Sequence, residues 1–432
     1  MSATDPGTGV RSIANYDGFV PPQDETTEPA TVNLTDVQQA YSRIRESILA
    51  TPCGYSEAFS QLSGSQVFLK LENLQKTGSY KERGALNRIL TLTPDERARG
   101  LITASAGNHA QAVSLHATRL GIAAEIVMPL ATPLNKVMST RRLGAEVVLH
   151  GANYDEACEE ALRQSRARGL TFIHPFDDNT VIAGQGTLGL EILGQHPDVD
   201  VVIAAIGGGG LISGMACALK EINPRVRVVG VQSARLPSMK RAVEQNMPVT
   251  LPVASTIADG IAVRRAGKLT LGLVQKYVDE IVTVEEEEIA SAILVLLERE
   301  KTLAEGAGAA PLAALIHRKT ACAGKKVVAI VSGGNLDVTL LSRIIERGLV
   351  KDGRLIRLRI HLPDYPGALH RLTGVLAQHR ANIVETSYDR TYFGVNLGDT
   401  AIDLTMETRG SEHVEELLRA LAEAGYEFER IQ

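Results

Sequence analysis

No uninterrupted apolar run in this 432-residue sequence reaches the ~18 residues that a membrane-spanning helix needs. Its first residues also lack the basic-then-apolar order of a signal peptide, so the expected location is the cytoplasm. Cysteine is scarce: Cys53, Cys158, Cys217 and Cys322 lie far apart, form no Cys-x-x-Cys pair and have no grouped histidines around them. Such usage fits a reducing compartment and points to no metal site. Nor is charge of one sign concentrated, since 45 Lys and Arg face 50 Asp and Glu without long single-sign blocks. Nothing here asks for a nucleic acid or a membrane as partner.

What is present is a soluble globular composition, 44% hydrophobic and 22% charged, in a chain long enough for two or three domains. Residues 1–33 are rich in Pro, Gly, Thr, Asp and Ala and bury too little to offset their ordering entropy, which predicts a disordered tail. A helix then begins at Leu34, with Thr35 as the expected cap and Val37, Ala40, Tyr41, Ile44 and Ile48 at helical spacing; Thr51-Pro52 ends it. From Val67 to about Ile330, short β-rich runs alternate with helical stretches. The runs are Val67 to Leu71, Leu101 to Ala104, Ala124 to Met128, Glu146 to Leu149, Val201 to Ala205, Val226 to Val231 and Val327 to Val331. This is an α/β pattern, parallel sheets flanked by helices, in which ligands sit at the carboxyl ends of strands.

Four segments occupy such positions. Ser79-Tyr80-Lys81-Glu82-Arg83-Gly84-Ala85 follows the first run and opens a helix. Lys81 reads as a Schiff-base lysine: an amine condenses with an aldehyde only when neutral, so it needs a dry site or a nearby cation, for which Arg83 and the helix start are candidates. Ser105-Ala106-Gly107-Asn108-His109 turns into a helix whose open amides suit a carboxylate. Gly207-Gly208-Gly209-Gly210-Leu211 lets consecutive amides close on a phosphate, and Ser332-Gly333-Gly334-Asn335 presents a hydroxyl after the last strand. Singly, each has an ordinary reading as a turn or a cap; an amine, an anion cradle, a carboxylate loop and a terminal hydroxyl in one α/β unit point jointly to one site.

With these residues in place, about Leu34 to Leu349 resembles the threonine dehydratase (threonine ammonia-lyase) family of pyridoxal-phosphate enzymes, whose fold is shared with tryptophan synthase β chains and cysteine synthases. The resemblance implies pyridoxal 5'-phosphate as cofactor, with Lys81 as the aldimine lysine and the catalytic residue, and Asn108 as the partner of the cofactor's 3-hydroxyl. It implies Gly207, Gly208, Gly209, Gly210 and Leu211 as the phosphate cup, Ser332 at the pyridine nitrogen, and Ser105, Ala106, Gly107, Asn108 and His109 as the substrate-carboxylate loop. It further implies a catalytic domain over 34–349, with a smaller subdomain of about 81–180 closing over a larger one. Residues 180–187 and 259–263 also look like family segments. Tyr80, Ala112 and Leu134 depart from the family's usual Phe, Gly and Lys. Serine racemases resemble the chain too, but the serine they use as a second acid-base group is Ala106 here, and Gln232 and Ser238 replace carboxylates of a racemase-like metal site. His109 reads as a residue that orients backbone rather than as a general base.

The implied reaction is β-elimination: Lys81, freed and neutral, removes the α proton of L-threonine, the β hydroxyl leaves, and hydrolysis gives 2-oxobutanoate and ammonia. A serine at the ring nitrogen offers only a neutral hydrogen bond where an aspartate would hold a proton, and the weaker electron sink favours loss of an adjacent leaving group. Threonine and serine differ by one methyl, which no motif reports. The alternatives are a catabolic threonine or serine dehydratase, a β-replacement enzyme, and a non-catalytic amino-acid sensor.

After a linker at 350–354 the pattern changes to βαββαβ. Ile356, Leu358, Ile360 and Leu362 alternate with Arg357, Arg359 and His361, the period of a half-buried strand. A helix from Ala368, strands near Ile383 and Ile402, a helix from about Glu412 to Ala424 and a strand near Phe428 complete residues 355–432, which resemble a ferredoxin-like ACT domain. Asp364, Gly367 and Asn382 match positions that face an amino-acid effector such as isoleucine or valine. Such sites usually lie between subunits, so a homotetramer or homodimer is expected.

Overall fold

The computed structural model describes residues 32–389 and 399–431, which form two compact units, one of 32–289 with Ala304–Asn335 and one of Ala290–Leu303 with 336–431. All but the last two residues of the expected N-terminal tail lie outside the described residues. Those two are Val32, which is buried, and Asn33, which caps the helix Leu34–Ile44. Asn33, not Thr35, is the cap: its Oδ1 accepts the Asp36 N–H at 3.2 Å while Asp36 Oδ2 accepts the Asn33 N–H at 3.0 Å. A carboxylate three residues on makes the reciprocal pair available to Asn33, and so decides between the two side chains.

The first unit holds ten strands: β1 (Cys53–Tyr55), β2 (Gln66–Leu71), β3 (Leu101–Ala104), β4 (Ala124–Met128), β5 (Glu146–Leu149), β6 (Thr171–Phe172), β7 (Val201–Ala205), β8 (Arg227–Ser233), β9 (Glu280–Val284) and β10 (Lys326–Val331). A six-stranded sheet runs in the order β1-β2-β10-β7-β8-β9, parallel except for β1 against β2, and a second, all-parallel sheet runs β5-β4-β3-β6. The central strands β7 and β10 are almost continuous Val, Ile and Ala runs because helices cover both faces. Over the larger sheet pack Ile182, Leu188 and Ile192 of the helix Asn179–Gln195 and Ile212 and Met215 of the helix Gly210–Ile222. The smaller sheet has its own core, with Leu101, Val113, Ile126, Met128 and Ile173.

The helix Lys81–Leu90 crosses Asn179–Gln195 where Gly84 meets Gln185 and Gly184 meets the backbone of Arg83 and Gly84; a methyl at either glycine would overlap its neighbours. One turn into that helix, Arg83 Nε meets Glu72 Oε2 at 2.7 Å and Nη1 meets Glu191 Oε1 at 2.6 Å, while Lys70 Nζ meets Glu191 Oε2 at 2.7 Å. All four side chains are buried, so each charge is stabilised by the others and by neighbouring polar groups: Lys70 donates to the Thr51 carbonyl and Gln195 Oε1, Arg83 to Thr187 Oγ1, and Glu72 accepts from Thr51 Oγ1. This cluster fixes the helix that carries Lys81.

In the second unit, β11 (Leu355–Pro363), β12 (Asn382–Asp389), β13 (Asp399–Glu407) and β14 (Glu427–Arg430) form an antiparallel sheet in the order β12-β13-β11-β14. The helices Ala368–Gln378 and Ser411–Glu423 supply Leu372, Leu376, Leu417 and Leu421 to a core with Leu358, Ile360, Ile402 and Leu404. The connectivity is βαββαβ, ferredoxin-like. The helix Val338–Lys351 also groups with this unit.

Candidate active site

Main-chain bonds bring the segment after β2 to the segment after β10. The Tyr80 N–H donates to the Ser332 carbonyl at 3.1 Å, the Gly334 N–H to the Gly78 carbonyl at 2.9 Å, and Ser79 bridges to Gly333. Lys81, at the first turn of its helix, is thereby held beside the end of β10, with its Nζ donating to the Pro175 carbonyl at 2.9 Å and 5.3 Å from the centre of the Tyr80 ring. Burial pushes the amine down to about 8, with Glu305 opposing the shift. Arg83, the cation considered from the sequence, does not contribute; its charge is matched by Glu72 and Glu191. Desolvation alone yields an amine that is largely neutral at mildly alkaline pH.

Pro175 leads to the glycine loop. Phe176 rests on it so tightly that a methyl on Gly208 would overlap the ring. Gly209 has φ of 98°, and its far side is closed by Met239 and Thr270. Thr270 Oγ1 donates to the Gly208 carbonyl at 2.6 Å, and the Asp177 carboxylate accepts the N–H groups of Lys268, Leu269 and Thr270 at 3.0, 3.0 and 3.1 Å. The carbonyls of Gly208 and Gly209 are thus engaged, the latter by the first bond of the helix, Ser213 N–H to Gly209 O at 2.9 Å, whereas the amides of Gly207 to Leu211 donate to no group among the described residues. Five consecutive open amides at a helix start are an anion cradle.

The loop after β3 has the same character. Ser105 N–H bonds to Val127 O and Gly107 N–H to Ser105 Oγ at 3.2 Å, while the amides of Ala106, Asn108 and His109 remain open. His109 is buried with Nε2 against the Ile173 carbonyl at 3.0 Å, and burial together with Lys81 pushes it down to about 3, so it stays neutral. Asn108 Nδ2 donates to Glu305 Oε1 at 2.7 Å, and its Oδ1 accepts from Asn335 Nδ2 at 2.6 Å. Ser332 is buried, and among the described residues its hydroxyl meets no hydrogen-bond partner.

These residues fit pyridoxal phosphate. An amine of lowered proton affinity, a cradle of open amides that suits a phosphate, a hydroxyl after β10 and an amide after β3 stand at neighbouring strand ends, joined by the Lys81–Pro175, Phe176–Gly208, Tyr80–Ser332 and Asn108–Asn335 contacts. Asp364, Gly367 and Asn382 lie in the second unit, where Gly367, at φ 91°, precedes the helix Ala368–Gln378 and Asn382 Nδ2 donates to Glu407 Oε2 at 2.8 Å. Sequence reading missed Pro175, Phe176, Asp177, Thr270 and Glu305. The first three follow β6 and were findable by the strand-end rule, but two residues of strand leave no periodicity to detect.

Comparison with known proteins gives a consistent result. The model of the family described as pyridoxal-phosphate dependent enzyme matches residues 44–333. The chain is 48% identical over 396 residues to an L-threonine ammonia-lyase of Thermotoga maritima, covering 92% of this chain and 98% of that protein. It is 44% identical over 315 residues to the catabolic L-threonine dehydratase TdcB of Escherichia coli K12, covering 72% and 96%. Among solved structures, maize serine racemase superposes with a TM-score of 0.70 at 34% identity, covering 74% of this chain and 99% of that one.

Proposed function

The chain belongs to the pyridoxal-phosphate-dependent enzyme family, and from that premise we propose that it converts L-threonine to 2-oxobutanoate and ammonia by β-elimination. The observation that carries the reading is that likeness to an L-threonine ammonia-lyase extends over 92% of the chain and so reaches into both units.

When bound, the cofactor supplies an aldehyde that condenses with amines and a ring that takes up the electrons released at the substrate's α carbon. The chain's own groups do the rest. The amides of Gly207 to Leu211 hold the phosphate, Asn108 meets the 3-oxygen, and Ser332 gives the ring nitrogen a neutral partner. The open amides of the Ser105–His109 loop bind the substrate carboxylate and so aim the α proton. Lys81, with an affinity for protons near neutrality, takes that proton at Nζ. Ala106 carries no exchangeable proton, so no group of that loop position returns one from the other face, and elimination rather than racemisation is the outcome.

The second unit, residues 355–432 in particular, acts in this reading as an ACT module that binds an amino acid such as isoleucine or valine at Asp364, Gly367 and Asn382 in a cytoplasmic homo-oligomer serving isoleucine synthesis. The TdcB match covers 72% of this chain and 96% of that protein, against 92% and 98% for the Thermotoga match, so part of this chain has a counterpart in the Thermotoga protein that TdcB lacks, which supports a role for that part beyond the catalysis named for both. The test is steady-state 2-oxoacid release from threonine and from serine, each with and without isoleucine, with Lys81→Ala as control. Preference for threonine and a response to isoleucine are expected. Equal or greater activity with serine, or a rate indifferent to isoleucine and valine, overturns the substrate or the regulatory part respectively.

A further inference from the structure

Glu305 has no role so far, yet its carboxyl is buried beside Asn108. Its backbone is pinned on both sides, the N–H donating to the Gly333 carbonyl at 3.0 Å and the carbonyl accepting the Ala309 N–H at 3.0 Å. Two glycines crowd the carboxyl: a methyl on Gly333 would overlap Oε1, and one on Gly260 would stand 3.0 Å from it. The side chain therefore has one place to be.

From that place it joins a chain of hydrogen bonds. Asn335 Nδ2 donates to the Thr77 carbonyl at 2.7 Å and to Asn108 Oδ1 at 2.6 Å, and Asn108 Nδ2 donates to Glu305 Oε1 at 2.7 Å. An amide has two chemically opposite ends, and what surrounds it decides which way it faces. Asn335 offers hydrogens to one end; Glu305, ionised or protonated on Oε2, offers Oε1 as an acceptor to the other. Both ends of Asn108 are thus assigned, and the second hydrogen of its Nδ2 is left over as a donor.

We infer that Glu305 is a positioning residue that, through Asn108, fixes an N–H donor on the phenolic oxygen of pyridoxal phosphate. The inference rests on the proposed placement of that oxygen at Asn108. Without the acceptor at 305, the Asn108 amide is free to rotate and the donor is no longer held on the cofactor.

The test compares the binding of pyridoxal phosphate and of its 3-deoxy analogue, which lacks the oxygen, to apoenzyme by absorption titration. The wild type is expected to prefer pyridoxal phosphate by about tenfold or more, the value of one charge-assisted hydrogen bond. Asn108→Ala and Glu305→Leu should each abolish most of that preference, and the double variant should lose no more than either. Glu305→Gln, whose amide oxygen can accept the same N–H, should retain it, which a role of bare charge would not allow. If Glu305→Leu gives no soluble apoenzyme, Glu305→Asp, one methylene too short to reach Asn108 from its pinned backbone, carries the same expectation. A wild-type preference in Glu305→Leu or Glu305→Asp beside a lost preference in Asn108→Ala overturns the inference alone. An intact preference in Asn108→Ala removes the placement of the oxygen and the inference with it.

Discussion

The Lys81 ammonium or amine rests on the Pro175 carbonyl at 2.9 Å, and the next residue, Phe176, is the surface on which Gly208 is packed. Amine and glycine loop are therefore tied through two consecutive residues, and a change in one is felt at the other.

Because burial pushes the amine down to about 8, the rate at which apoenzyme takes up pyridoxal phosphate should depend on pH near that value. Below it Nζ is mostly charged and has no lone pair to attack the aldehyde; above it the amine is free. Stopped-flow growth of the visible absorption should rise about tenfold per pH unit up to ~8 and then level off. A flat profile between pH 6 and 9 would count against a desolvated amine.

Gly208→Ala places a methyl inside the Phe176 ring, an overpacking of about 1–3 kcal/mol that the loop can relieve only by moving its amides. The dissociation constant for pyridoxal phosphate should rise by about tenfold or more. Adding Phe176→Ala opens the space and should recover part of the loss; if cofactor affinity is untouched by Gly208→Ala, the cradle lies elsewhere.

Ser332→Asp would set a charged partner at the ring nitrogen in place of a neutral hydroxyl. Release of 2-oxobutanoate should slow by about an order of magnitude or more. Turnover equal to wild type would refute the assignment of Ser332 to that atom.

Burial works to raise the Glu72 carboxyl, but the charge and hydrogen bonds of Arg83 outweigh it and hold the group below the usual carboxylate range. Arg83→Leu leaves Glu72 without its counter-ion and Glu191 with Lys70 alone, and should cost about 3–5 kcal/mol in denaturant unfolding of the apoprotein. Since the folded-state affinity for protons is depressed, the pair's contribution is complete above the ordinary carboxylate pKa of about 4.3 and is lost as pH falls through the lower folded value. The variant should accordingly lose part of the wild type's stability difference between pH 6 and 3; an unchanged difference would show that other groups govern acid unfolding.

Much of the architecture is legible in the residues because buried parallel strands must be apolar throughout. β3, β4, β5 and β7 begin and end where the Val, Ile and Ala runs do, and the alternation of Ile356 to Leu362 with Arg357 to His361 marks β11. β1 and β6 escape notice because three and two residues cannot display a period, and β9 because Glu280 and Thr283 interrupt its apolar residues. The site divides likewise. Lys81, the glycines and Ser332 stand at strand ends and can be found by that rule. Glu305 lies at a helix start more than a hundred residues from Asn108 and is recognisable only once the fold has set Gly333 and Asn108 beside it.

The position of β10 between β2 and β7 also bears on how the protein is made. The middle strand of the larger sheet is the last of that sheet to leave the ribosome, and the backbone bonds that seat residues 78–80 reach to 332–334. Pairings of such sequence separation are slow to form. A nascent chain shorter than about Asn335 holds an open gap where its central strand belongs, so the lysine is not seated, and the coenzyme has nothing to bind, until synthesis has passed that residue.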